Sequence, residues 1–253
     1  MQMPKAAIVI PCYNEAARLD IDAFSRFLSS ADGVHLVMVN DGSGDSTLVV
    51  LDRIAAAFPS RVSVIDQQPN QGKAEAVRVG LISACERAPI VGFWDADLAT
   101  PLPVMHQFLS IFSTRPEIEW VLGSRVKLLG REIDRSSFRH YLGRVFATGA
   151  SVTLDLGVYD TQCGAKMFRA TPLFRALLTP RFLTRWVFDV ELIARLTAAH
   201  RRGDAGAPAE IIFEAPLNTW RDVVGSKVKP TDFIRSGLEL VRIWWHYLRP
   251  STR

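Results

Sequence analysis

Cysteine is scarce in this chain, and what there is does not pair. Cys12, Cys85 and Cys163 are the only three among 253 residues, and no two are closely spaced. An odd, scattered set excludes a disulfide scaffold and reads as free thiols in a reducing compartment. The five histidines (His35, His106, His140, His200, His246) do not cluster with the cysteines, which argues against a zinc site. Long apolar runs are missing too. No stretch approaches the roughly 18 apolar residues that a membrane-spanning helix needs. The apolar start "AAIVIPCYNE" (6–15) is too short for a secretory signal and runs straight into polar residues. The expectation is a cytoplasmic protein that can still touch a membrane face. Low-complexity tracts are few and 22% of residues are charged, so the chain is read as folded. Its 48% hydrophobic content suffices for one large domain, or one domain with a C-terminal appendage. The net charge of +4 fits a phosphate-bearing ligand or an anionic membrane surface. No nucleic-acid partner is expected.

What is there is a rhythm. Apolar strand candidates recur at "AAIVIP" (6–11), "VHLVMVN" (34–40), "RVSVID" (61–66), "PIVGFWD" (89–95) and "IEWVLGS" (118–124), with helical patterns near 20–30, 46–58, 73–86 and 102–114. Strands alternating with helices imply parallel pairing and right-handed crossovers. The expected fold class is therefore α/β, a mostly parallel central sheet flanked by helices. From about 125 the pattern changes. "RVKLLGREIDRSSFRHYLGR" (125–144) reads as one basic helix with Arg131, Arg135 and Arg139 on one face. "YDTQCGAKMF" (159–168) reads as a loop entering a strand, "RWVFDVELIARL" (185–196) as a buried helix, "AEIIFEAP" (209–216) as a strand and "TWRDVVGSKVKP" (219–230) as a polar loop. The division expected is a domain over 1–230 and an amphipathic C-terminal segment over 231–253.

In a sheet of this kind ligands bind beyond the carboxyl ends of the strands, and polar residues gather there. "PCYNE", "DGSGDST", "QPNQGKAE" and "DADLATP" follow the first four strands in turn. Asp41 ends a strand before a glycine turn, and Asp45 or Ser46 can cap the next helix without it. Lys73 stands at a helix start, where a cation opposes the helix dipole unless an anion joins it. Asp95 and Asp97 are one residue apart and repel unless a cation sits beside them. A divalent ion such as Mg²⁺ or Mn²⁺, shared with phosphate oxygens, is one solution. A solvated turn with Asp97 capping the next helix is the other, and the pair alone does not choose.

Taken in order, "IVIPCYNE", "VNDGS", "NQGKAEAV", "DADLATP", "GSR", "DTQCGAK", "RWVFDVEL" and "GSKV" resemble the family 2 glycosyltransferases of GT-A fold. More narrowly they resemble the dolichyl- or polyprenyl-phosphate β-glucosyltransferases, cousins of dolichol-phosphate mannose synthase. The resemblance spans roughly 5–230. It implies that Pro11, Tyr13, Glu15 and Asp41 hold the base and ribose of a nucleotide sugar, with Lys73 near its base or phosphates. Asp95 would contact the nucleoside and share in a metal site with Asp97, which binds the Mg²⁺ or Mn²⁺ bridging the diphosphate. Arg125, with Arg131 and Arg135 beyond it, would receive the acceptor phosphate. Gln162 would face the donor sugar, and Ser226 and Lys227 would close over the diphosphate. Asp189 would be a base if the acceptor were a hydroxyl, and otherwise a buried supporting carboxylate. Two positions depart from the family pattern. Ala99 stands where the mannose synthases often have a glutamine ligand, and Ala165 replaces an aromatic.

The activity so implied is inverting transfer of glucose from UDP-glucose to a polyprenyl phosphate. GDP-mannose or another donor, a hydroxyl acceptor, and a nucleotide-sugar-binding protein without turnover stay as alternatives, and the oligomeric state stays open. Trp244, Trp245 and Tyr247 beside Arg235, Arg242 and Arg249 match an interfacial helix at a membrane. The same residues would equally serve a helix packed on the domain or on a partner subunit.

Overall fold

The computed structural model describes residues 5–30, 33–127, 129–134, 137–221 and 230–249. They form two compact units, Met1–Ser110 with Gly164–Arg181, and Ile111–Cys163 with Phe182–Arg253. The architecture is α/β, with a mostly parallel sheet flanked by helices.

The first unit carries β1 (Ala6–Cys12), α1 (Ile21–Ser30), β2 (Val34–Asp41), α2 (Thr47–Ala57), β3 (Val62–Gln67), α3 (Lys73–Cys85) and β4 (Ile90–Trp94). Helix α4 (Val104–Thr114) leads out of it, and β7 (Ala165–Arg169) and α6 (Pro172–Leu178) complete it. Its strands lie in the order β3-β2-β1-β4-β7. The first four run parallel, and β7 is antiparallel to β4. Every residue of β2 is buried, as is β1 apart from the half-buried Pro11, because helices cover both faces. The chain steps outward from β1 to β2 and β3, then returns to place β4 on the other side of β1. Strand order thus reverses between β1 and β4, and at that switch point the connections leave a crevice at the carboxyl ends.

The second unit contains β5 (Trp120–Ser124), β6 (Glu132–Asp134), α5 (Ser137–Leu154), α7 (Phe188–Arg201), the short α8 (Pro208–Ile211), β8 (Ile212–Pro216), β9 (Thr219–Arg221) and α9 (Pro230–Ile243), which runs into a π-helical turn at Trp244–Leu248. β5 pairs parallel with β8, and β6 with β9. Helices α5, α7, α9 and the π-turn pack on one another.

One expected element is corrected. Residues 125–144 are not a single helix. Gly130 takes φ +80°, a conformation that ends regular helix, and Glu132–Asp134 is extended and paired with β9. Ile133 is buried from that strand, and α5 starts only at Ser137. Arg131 therefore lies outside the helix and does not share a helical face with Arg135 or Arg139. Arg135 itself, with Ser226 and Lys227, lies outside the described residues. The strand expected at 209–216 begins with the helical turn α8, where Pro208 supplies a ready-made first helical position.

Candidate active site

At the carboxyl ends of β1 and β2 two loops are stitched together. Asn14 sits at φ +50°, so that its N–H meets Ser43 Oγ at 3.0 Å and its Oδ1 accepts from Gly44 N at 2.8 Å. Thr47 Oγ1 accepts from Glu15 N (2.8 Å) and Ala16 N (3.0 Å), and donates to Asp45 Oδ1 at 2.5 Å. Asp45 also accepts from Thr47 N (3.0 Å), whereas Ser46 makes no side-chain cap. Tyr13 stands exposed beside these bonds. Glu15 is buried and turned onto Arg18, with contacts of 2.6 and 2.8 Å.

Asp41 is an organiser. Its Oδ1 accepts from Gln67 Nε2 and Gln71 N, and its Oδ2 from Asn70 Nδ2 and Gly72 N, all at 2.8–2.9 Å. Four such bonds occupy roughly the full acceptor capacity of a carboxylate. The side chain fixes the 67–72 turn and with it the start of α3, where Gly72 at φ +94° delivers Lys73. Lys73 Nζ forms an ion pair with Asp95 Oδ1 at 2.5 Å; that oxygen is buried and no other hydrogen bond reaches it among the described residues, while the Asp95 side chain as a whole is 32% exposed. Asp95 N donates to Gly164 O at 2.9 Å, and a Cβ on Gly164 would fall 1.9 Å from Asp95 Oδ2. Glycine in "DTQCG" is what lets the Asp95 carboxylate occupy its place. Two residues on, Asp97 Oδ1 accepts from Ala99 N at 3.1 Å across Leu98, whose φ of +52° is unusual for a branched residue. Burial and then the Asp95 charge raise the Asp97 carboxyl above its ordinary range, against the pull of Ala99 N–H, Lys73 and Arg18.

In the second unit Asp160 does the organising. It takes Arg125 Nε (2.7 Å), Arg125 Nη2 (2.8 Å) and Arg125 N (3.0 Å), and its Oδ1 accepts from Gln162 N at 3.1 Å. Glu214 accepts from the amides of Tyr159 and Asp160, and Arg125 stacks 5.4 Å from the Trp220 ring. Around this fork pair, Ser124 Oγ, Thr161 Oγ1 and Gln162 Nε2 are buried without a hydrogen-bond partner among the described residues. Buried polar groups are ordinarily satisfied, so these three, close in sequence to Arg125 and Asp160, have hydrogen-bonding capacity to spare. Arg131 is turned elsewhere, onto Pro216 O (3.0 Å) and Asn218 Oδ1. Asp189 is buried in the first turn of α7.

The chain matches the profile described as "Glycosyl transferase family 2" over residues 7–174. It belongs to that family. The matched span covers the whole aspartate constellation of the first unit and runs through Arg125, Asp160 and Gln162. Among curated proteins, the dolichyl-phosphate beta-glucosyltransferase of Drosophila melanogaster is 31% identical over 258 residues, 96% of this chain and 75% of that protein. The mouse protein of the same name is 30% identical over 262 residues, 98% and 77%. Among solved structures, glucosyl-3-phosphoglycerate synthase from Mycobacterium tuberculosis, in complex with Mn²⁺ and UDP-glucose, superposes with a TM-score of 0.62 at 20% identity, covering 98% of this chain and 81% of that one. A mannosyltransferase from Pyrobaculum calidifontis with GDP-Man and Mn²⁺ gives 0.61 at 17%, covering 99% and 66%. At such identities these structures speak for the shared GT-A fold.

Within this glycosyltransferase the donor set at the end of β4 fits a divalent ion. Asp95 and Asp97 are crowded carboxylates, and Asp97 is held in a state that a cation would relieve. Among the described residues no group of three or more His, Cys, Asp or Glu side chains converges, and Ala99 adds no ligand, so diphosphate and water oxygens would complete the shell. Sequence did not single out Arg18 and Gly164 in the first unit or Asp160 in the second. Glu15 and Arg18 are spaced i, i+3 in "NEAAR", which was a legible pairing signal. The roles of Asp160 and Gly164 depend on contacts with Arg125 and Asp95 that no local pattern announces.

Proposed function

We propose that the chain transfers glucose from UDP-glucose to a polyprenyl phosphate of the dolichyl type, with inversion, at the cytoplasmic face of a membrane. The observation that carries the reading is the division of labour at the end of β4. Asp95 is paired with Lys73 at 2.5 Å, while Asp97 makes no ion pair among the described residues and has its carboxyl raised by burial and by the Asp95 charge. That arrangement suits a metal–diphosphate unit arriving together. The names of the relatives support glucose and dolichyl phosphate, and the UDP-glucose and Mn²⁺ bound in a fold neighbour support the donor.

Asp97 and Asp95 would hold the Mg²⁺ or Mn²⁺, and the ion would neutralise the diphosphate as it leaves. The remaining work falls to the chain. Pro11, Tyr13 and Glu15 line the nucleoside end, and Asp41 acts by fixing the turn that presents Lys73. Arg125, oriented by Asp160, offers a fixed cation to the acceptor phosphate. Gln162 Nε2, with the hydroxyls of Ser124 and Thr161, offers unsatisfied polar atoms to the sugar. An oxygen of the lipid phosphate attacks the anomeric carbon as the bond to UDP breaks, and UDP departs with the electron pair. The acceptor is already an anion, so no base is required. Catalysis is positioning and electrostatics, and Asp189 is a supporting carboxylate.

A thermal-shift panel tests the donor half. UDP-glucose with Mn²⁺ should stabilise the protein more than either component alone, and more than GDP-mannose with Mn²⁺. An equal response to GDP-mannose, or a response indifferent to metal, would overturn the assignment.

A further inference from the structure

Helix α9 does not hide its apolar residues. Leu238 (68% exposed), Val241 (63%) and Trp245 (62%) recur at i, i+3 and i+7, with Trp244 (41%) beside them. The opposite side of the helix is anchored, since Leu240, Ile243 and Leu248 are buried. The π-turn makes both possible. Its wider winding, closed by Arg249 N donating to Trp244 O at 2.8 Å, leaves both tryptophans outward while Tyr247 OH donates to Glu191 Oε1 at 2.9 Å. Helix α5 packs alongside, with Gly149 facing Leu240, and adds Val145 (70%) and Val152 (76%) on the same side of that helix.

The charge beside this patch has one sign. Arg235, Arg242 and Arg249 recur every seven residues and are exposed. The one carboxylate between Arg235 and Arg249, Glu239, is turned inward onto the amides of Arg185, Trp186 and Val187 at 3.3 Å. Arg249 lies 4.3 Å over the Trp245 ring. An apolar stripe with indole rings and a basic margin is the composition of a surface that rests in a lipid headgroup layer. An anionic headgroup layer meets every arginine of this one-signed margin at once, and a second copy would set the arginines of two helices against each other.

We propose that the exposed face of α9 and its π-turn, extended by Val145 and Val152 of α5, is a docking surface for an anionic lipid bilayer. The inference deepens the membrane part of the function proposed above and rests on it for its purpose. The face is preorganised: its back is built into the unit, so docking needs no refolding of the helix.

Flotation of the full chain with vesicles tests it. The protein should float with phosphatidylcholine–phosphatidylglycerol vesicles, less with phosphatidylcholine alone, and less again as salt rises. Replacing both Trp244 and Trp245 with Ser should cut partitioning by about tenfold or more. Arg235→Ala and Arg249→Ala should each cut it about fivefold on anionic vesicles only. Quenching of tryptophan fluorescence by brominated lipid, in the unaltered protein, reads the same contact without any substitution. Absence of flotation and quenching would overturn the proposal. So would a tryptophan variant that floats normally, or one whose only change is loss of a concentration-dependent dimer, which would make the patch a self-association surface. Transfer to a water-soluble short-chain polyprenyl phosphate separates the two readings. If docking is wrong, flotation fails while that transfer persists; if the acceptor assignment is wrong, transfer fails while flotation persists.

Discussion

Asp97 sits two residues beyond Asp95 at the end of β4, and burial together with the Asp95 charge raises its carboxyl above the ordinary 3.8. A carboxyl whose folded value is raised contributes stability below its unfolded value and loses it as pH rises through the folded one. At neutral pH the ionised Asp97 therefore works against the ligand-free fold. Asp97→Asn keeps an oxygen for Ala99 N and removes the charge. The variant should melt no lower than the parent at neutral pH, with any gain vanishing below about pH 4, while the extra stabilisation by UDP with Mn²⁺ disappears. A lower melting point at neutral pH would mean that Asp97 is a structural carboxylate. Both aspartates were legible in the sequence as carboxylates at a strand end. What was not legible is which of them already has a cation. That depends on Gly72 delivering Lys73 and on Gly164 leaving room for Asp95, and both are facts of backbone geometry.

Among the elements, helices α1 to α4 were readable from apolar spacing to within a few residues, because each must cover a two-faced sheet, whereas the short α6 was not. Helix α3 shows how tightly. It contacts β1, β2 and β4, and a Cβ on Gly80 would lie 2.4 Å from Val9 Cγ1 and 3.0 Å from Val39 Cγ2. By helix propensity alone Gly80→Ala should gain about 1 kcal/mol. Forcing a methyl between two buried valines costs about 1–3 kcal/mol. The second effect wins, so the variant should lose net stability of about 1 kcal/mol in urea unfolding; a gain would show that α3 can lift off the strands cheaply. The same propensity logic fails at 125–144 for the converse reason. Basic residues spaced for a helix were there, but Gly130 and the pairing of Glu132–Asp134 with β9 decide the backbone, and β9 lies some ninety residues away in sequence. Long-range pairing of a three-residue strand leaves almost no periodic trace.

At the scale of the whole chain, the second unit joins residues 111–163 to 182–253, and its stability depends on contacts made across that separation. Helix α7 has no side-chain cap of its own at Val187. Glu239, some fifty residues later, braces the segment that enters the helix by accepting from the amides of residues 185, 186 and 187, the last of them the cap position's own N–H. The buried Glu191–Arg195 pair of α7 is closed by Tyr247, whose hydroxyl is pushed up to about 12 by burial and the Glu191 charge, and Arg201 Nη1 reaches Leu248 O at 2.7 Å. The helix that turns its tryptophans outward is thus the one that holds the first turn of α7, where Asp189 sits. Glu239→Ala should cost about 1–2 kcal/mol of stability, as loss of hydrogen bonds from main-chain amides to a charged group does. It should also raise amide exchange across 185–191 more than across β1 or β2, and Glu239→Gln should restore part of both. If exchange rises evenly through the protein, Glu239 is one more core contact. If it rises only at the start of α7, the C-terminal helix sets the order of the turn that carries Asp189.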